Sequence, residues 1–313
     1  MNRLLAGTAV LSLALASCGG GGGGVASMPP PAPTPTPTPS PTPTPTPIPS
    51  VPPGPIGLSG AASFSTYSAY SGSDGKLVSG AGGVEISYSA ASNVYSISLP
   101  GFSPGNLVTA GGNGSFNENG WITLNSTSNH VTDGNSSTLQ PVNVILDWPQ
   151  SSELKYTSLG NWTLQNNQLA GTFVYGIPTA AGDVPLTGSA SYLGEIRGLT
   201  DGDLDVFGSI SFNFDFAAGT LSGAMNPEYA PDWDPVSLGT YSFTNTVFSK
   251  GSTTFSGSFV LPNGAEGASS FEGSFNGPSA AELMGSWSAP FKDSHNGFAG
   301  GTMSGVFTGK KGP

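Results

Sequence analysis

The chain predicts an all-β protein. A small antiparallel sheet is followed by a C-terminal, soluble antiparallel β-barrel of about eight strands, behind a disordered N-terminal linker. Three observations predict it. Apolar residues alternate with Ser, Thr, Asn and Asp at period two through most of residues 56–313, the pattern of strands buried on one face. Glycine and Asn-Gly or Asp-Gly steps punctuate that alternation about every ten residues, the rhythm of a sandwich or barrel. Convincing helical periodicity is absent.

The N-terminus carries one cation, Arg3, and an apolar run from Leu4 to Ala16, then Leu15-Ala16-Ser17-Cys18 closes the segment. A short charged region, a short apolar region and small residues before the cut mark a secretory signal. Ending on cysteine, the run resembles the lipobox of bacterial lipoproteins, which implies cleavage before Cys18 and lipidation of its thiol. The apolar run falls short of the ~20 residues that span a bilayer. Residues 1–17 are therefore expected to be a signal peptide and Cys18 a membrane anchor. Gly19 after it agrees with sorting to the outer membrane.

Residues 18–55 read as a stalk. Six glycines fill 19–24, and 29–53 alternate Pro with Thr or Ser. Gly-rich chain is floppy, and Pro-rich chain sits in extended polyproline II. At ~3.1 Å per residue the Pro-rich part reaches roughly 80 Å. Neither segment buries apolar surface, so neither folds.

The remaining chain divides into a small sheet over 56–150 and a barrel over 151–313. Cys18 is the one cysteine in 313 residues, so no intramolecular disulfide or thiolate metal site forms. After Arg3, seven Lys and Arg face nineteen Asp and Glu, a net of −12, which disfavours nucleic acid and anionic membrane surfaces as partners. In the first part, 84–88 pairs with 94–99 across the turn Ala90 to Asn93, and Gly111 to Asn135 is polar. In the second part, strands are expected at 155–164, 168–175, 187–197, 206–216, 219–225, 239–249, 252–260, 268–276, 283–289 and 301–309. Ile210, Phe212 and Phe214 point one way, and Ser209, Ser211, Asn213 and Asp215 the other. A closed barrel removes the edge-strand problem. Outward Ser, Thr, Asn and Asp argue against a transmembrane barrel, whose lipid face needs Leu, Val and aromatics.

The stretch Phe271-Glu272-Gly273-Ser274-Phe275-Asn276-Gly277-Pro278-Ser279-Ala280-Ala281-Glu282-Leu283-Met284-Gly285-Ser286-Trp287 resembles a signature of the barrel domains of bacterial transferrin-binding protein B and its relatives. There a strand ends in Gly-Pro, a short helical turn carries Ala and Glu, and a Gly-Gly-x-aromatic strand follows. Ser286 stands here at the second glycine. The regions 156–176, 185–194 and 215–223 look similar to lone-lobe members. The resemblance covers 154–310, and more loosely the preceding hundred residues as the handle sheet that accompanies each barrel. It implies a non-enzymatic lipoprotein of the outer membrane, displayed at the cell surface. Such a protein captures a ligand such as an iron, haem or metal carrier, from a host or secreted carrier protein, and hands it to an outer-membrane transporter. The signature residues are architectural, and none is a binding residue of the family.

Other constellations compete with bland readings. Gly101-Phe102-Ser103-Pro104-Gly105 fits Gly-x-Ser-x-Gly, but a nucleophile elbow needs a strand before it and a helix after it, and Pro104 supplies a turn. Asp201-Gly202-Asp203-Leu204-Asp205 starts like a calcium loop, yet Val206 and Phe212 stand where Gly and Glu are required; a hairpin tip is the simpler reading. His130 and His295 lie in loop-like sequence. No catalytic residue, metal ligand or cofactor is assigned. Glu228-Tyr229-Ala230-Pro231-Asp232-Trp233-Asp234-Pro235 interrupts the strand rhythm with aromatics, carboxylates and prolines. Exposed aromatics on a rigid loop are interface anchors, so Tyr229, Asp232, Trp233 and Asp234 are the candidate binding residues; aromatics folded back into the barrel mouth are the alternative. Two other functions stay open at this point: a structural or adhesive envelope lipoprotein, and a lipocalin-like carrier with an apolar molecule in its barrel.

Overall fold

The structure, a computed structural model, describes residues 61–71, 76–89, 94–100, 102–103, 114–116, 121–124, 130–133, 139–147, 154–164, 169–230, 234–292 and 300–313. The expected signal peptide, Cys18 and the stalk lie outside them. Among the described residues the strands form three sheets.

The smallest sheet holds β1 (Ala61–Ser63), β4 (Glu85–Ser89) and β5 (Val94–Ser98), in the order β1-β4-β5. The expected hairpin is here, with Glu85 opposite Ser98 and Ser89 opposite Val94. Its turn lies outside the described residues.

The second sheet runs β3 (Leu77–Ala81), β2 (Ser65–Ser71), β12 (Leu169–Gly176), β11 (Thr157–Leu164), β10 (Leu139–Asp147), β8 (Trp121–Leu124), β7 (Gly114–Phe116). From β10 the chain also pairs with β9 (His130–Asp133), and β9 with β6 (Phe102–Ser103). The strands at 155–164 and 168–175, counted with the barrel on sequence, belong to this sheet. Thr172 sits opposite Ala69 of β2, and Trp162 opposite Gly171.

The third sheet closes. Strands β13 (Ser189–Thr200), β14 (Asp205–Asp215), β15 (Thr220–Tyr229), β17 (Tyr241–Val247), β18 (Thr254–Val260), β19 (Ser270–Asn276), β20 (Glu282–Phe291) and β21 (Gly301–Lys311) follow one another up and down. The two-residue β16 (Val236–Ser237) adds to β15, and β13 pairs with β21 to complete an eight-stranded antiparallel barrel. Local chemistry builds its turns. After β14, the Asp215 carboxylate accepts from the amides of Ala217 (3.0 Å) and Ala218 (2.9 Å). Gly219 closes the turn at φ 68°, where a side chain is disfavoured.

Burial follows the alternation where one face meets water. On β14, Ile210, Phe212 and Phe214 are buried while Ser209 and Asn213 are exposed. Strands β20 and β21 break the rule, being buried on both faces. Inward residues such as Leu283, Trp287 and Phe307 join the barrel core. Outward Met284 and Val306 pack against Tyr67, Ala69, Leu159 and Val174 of the second sheet. The open sheet thus lies on the outside of the barrel, over β20 and β21.

Candidate functional site

The barrel lumen is a packed core. The Phe212 ring lies 5.0 Å from Phe243, 5.4 Å from Phe255, 5.1 Å from Phe307 and 6.3 Å from Phe271, centroid to centroid. Phe214 sits 4.8 Å from Phe275 and 5.0 Å from Phe248. These are the separations of interlocked aromatic pairs. Polar tips inside find partners: Tyr192 donates to the Ala280 carbonyl at 2.6 Å, Tyr241 to Pro290 at 3.1 Å, and Trp287 Nε1 to Val306 at 3.3 Å. Burial pushes both phenols above the usual tyrosine range. A lumen filled in this way contradicts the lipocalin-like alternative, which needs a cavity.

The Gly-Pro signature does its work at the joint between sheet and barrel. Its glutamate, Glu282, opens β20 and is buried. Its carboxylate accepts from the amides of Lys155 (2.6 Å) and Tyr156 (2.9 Å), at the entry to β11, and further bonds come from Thr157. Burial holds this carboxyl above the ordinary glutamate value, against the pull of those donors. Gly277, at φ 71°, lies under the Tyr156 ring; a Cβ there would stand 2.3 Å from Cδ2. Thr179 donates to the Gly277 carbonyl at 2.7 Å. The buried Asn276 amide, with its oxygen toward Thr157 Oγ1 at 3.2 Å, donates to the carbonyls of Ile177 and Phe275. A second clasp joins β19 to β3, where Glu272 accepts from the Ala81 amide at 2.7 Å. The sequence marks these residues as architectural but not as a long-range joint, because their partners lie 98 to 191 residues away.

The predicted binding loop comes apart into two environments. Tyr229 is a fully buried barrel residue, its ring 5.9 Å from Phe291, so it anchors the core rather than a partner. It belongs to β15, opposite Val206 and Val236, and shares the inward side of that strand with Leu221 and Met225. Asp234 is exposed, while Asp232 and Trp233 lie outside the described residues. The Asp201–Asp205 run is a hairpin tip. Thr200 Oγ1 accepts from the amides of Gly202 and Leu204, and the Asp201 carboxylate accepts from Thr302 at 2.9 Å. Phe102 and Ser103 lie in a strand paired with Asp133 and Thr132. His130 starts β9, and His295 is outside the described residues.

The exterior offers grooves instead. One of ≈ 660 Å³ opens where β11 and β12 meet the β13–β14 turn, lined by Asn161, Thr172, Arg197, Leu199, Asp203, Asp205 and Phe207, among others. It ends at Ala230, beside the predicted loop. Its rim mixes a guanidinium, 3.3 Å from Glu195, with two exposed carboxylates. This volume lies within the range of ~300–1,000 Å³ typical of ligand clefts.

The fold is therefore an aromatic-filled barrel with an open sheet clasped to its outside. No family model and no curated protein matches the sequence. Among solved structures, the chain is similar to transferrin-binding protein B from serogroup B Neisseria meningitidis, at 18% identity and TM-score 0.46, over 80% of this chain and 44% of that one. A double mutant of the same protein from Haemophilus parasuis Hp5 aligns at 15% identity and TM-score 0.45, over 79% of this chain and 45% of that one. Kievitone hydratase from Nectria haematococca aligns at 10% identity and TM-score 0.24, over 82% and 90%. The chain spans less than half the length of the two transferrin-binding proteins.

Proposed function

We propose that this chain is a non-enzymatic binding lipoprotein of the outer membrane, anchored through lipid on Cys18 and displayed at the cell surface. Residues 18–55 hold the body off the membrane. The body captures a host or secreted carrier protein, of iron, haem or another metal, and passes the cargo to an outer-membrane transporter. The filled lumen carries this reading. With the interior occupied by Phe212, Phe214 and their neighbours, recognition falls to the outer grooves and loops, and such surfaces suit macromolecules.

Protease treatment of intact cells, followed by capture from the natural medium with the full chain, tests it. Display requires the body to be cut on intact cells and Cys18→Ala to release it from the membrane fraction. Protection on intact cells would overturn display. Absence of any carrier protein among the captured material would leave a structural envelope lipoprotein.

A further inference from the structure

Among the described residues, β3 ends the second sheet and no strand pairs with its outer edge. The Gly82 amide donates to the Thr66 carbonyl, so 80 and 78 are the hydrogen-bonded partners of 68 and 70 in the antiparallel ladder. The N–H and C=O groups of Leu77, Ser79 and Ala81 therefore point away from β2. The Ala81 amide confirms the phase by donating outward to Glu272. Among the described residues, no backbone partner faces the outward N–H and C=O groups of Leu77 and Ser79, which stand at strand spacing. Open edges of this kind pair with another chain.

What lies beyond the edge decides the occupant. The sheet covers β20 and β21, and the next strand position lies over β19 and β18. That part of the barrel surface forms a shelf: Ser256, Gly257, Ser270, Glu272 and Ser286 line a groove of ≈ 410 Å³ with Ser79 of β3, over Phe271 and Trp287, whose side chains are buried. A second groove of ≈ 360 Å³ continues along β3 past Ala81 and Tyr67. The shelf borders the sheet–barrel interface, since Tyr67, which packs in that interface, also lines the second groove. The exposed carboxylate of Glu272 favours a basic side chain beside it.

We propose that β3 is a strand-addition site: an extended, basic segment of a partner polypeptide joins as the next antiparallel strand, with small side chains facing the barrel shelf. Residues of that segment opposite Leu77 and Ser79 exchange backbone hydrogen bonds with them. The proposal rests on the preceding reading only in taking the partner to be a protein, and its test needs no cells, so its failure would leave display and capture standing.

The probe is the end-capped heptapeptide Ser-Val-Lys-Val-Ser-Val-Ser, titrated into the isotope-labelled full chain and followed by amide NMR. Binding should shift the Leu77 and Ser79 amides and slow their exchange. N-methylating the Ser and Lys amides, which face β3, should weaken binding by about tenfold or more. N-methylating the Val amides, which face away, should change it less than about twofold. Glu272→Gln should weaken the Lys peptide and not a peptide with Ser in place of Lys. Ser79→Pro should abolish binding; should that variant misfold, the methylated peptides carry the same test. Unshifted Leu77 and Ser79 amides, or equal binding of the two methylated peptides, would overturn the proposal. A dimer in sedimentation that the peptide cannot displace would also overturn it, by assigning the edge to a second copy.

Discussion

Removing the Glu282 carboxylate should loosen the sheet from the barrel. In Glu282→Ala the amides of Lys155 and Tyr156 lose acceptors at 2.6 and 2.9 Å, and both donors stay at a half-buried joint. Each stranded donor costs roughly 1–3 kcal/mol, and partial rescue by water at this half-buried joint brings the pair to about 2–4 kcal/mol. For a body of this size each 1 kcal/mol lowers Tm by about 2–4 °C, so the expected loss is roughly 4–16 °C. Urea unfolding followed by far-UV circular dichroism measures the magnitude, and amide exchange places it. Protection should fall first at Tyr156, Thr157 and the β11–β12 ladder, while inward amides of β14 hold theirs until global unfolding. A loss under about 0.5 kcal/mol, or equal loss of protection throughout, would refute the reasoning.

Other substitutions probe the remaining parts. Gly277→Ala places a Cβ into the Tyr156 ring at φ 71°, and should cost about 2–4 kcal/mol; Gly277→Ala with Tyr156→Ala should show a coupling of roughly 1 kcal/mol or more in a double-mutant cycle. Phe212→Ala empties the centre of the barrel and should cost about 3–5 kcal/mol, measured by denaturant midpoint. Glu282 also sets a pH dependence. Its folded value is raised above 4.5, so its contribution is fully present below that value and lost as pH rises through the folded value. The stability advantage of the parent over Glu282→Gln should shrink across that window, and a gap that widens toward neutral pH contradicts the assignment. Arg197→Glu at the groove rim should reduce capture of the carrier protein while leaving the thermal midpoint within about 2 °C.

Strands facing water on one side were legible from residue pattern alone. β14 shows it best, since Ile210, Phe212 and Phe214 alternate with exposed polar residues. The same pattern is silent about which strands pair. β11 and β12 read as strands next to those of the barrel, yet their ladder reaches β2 about a hundred residues earlier, and no local signal encodes that distance. Tyr229 was misread for a different reason. The carboxylates and prolines of 228–235 set that stretch apart from the strand rhythm, and Pro227 just before it cannot donate to a ladder. It sits where the partner of β15 changes from β17 to β16, so no ladder bond is lost there. Counting by two from Leu221 through Met225 places Tyr229 inside. The joint residues Glu282, Gly277 and Asn276 stood out as a signature, but their partners appear only once the sheet lies on the barrel.

Native mass spectrometry of the protein purified from its own cells tests whether the barrel is a filled core that leaves recognition to the exterior. With the proposed lipidation a single mass is expected, that of the chain beginning at Cys18 with its covalent lipid and nothing else retained. An additional apolar compound, released only when the chain unfolds, would contradict it.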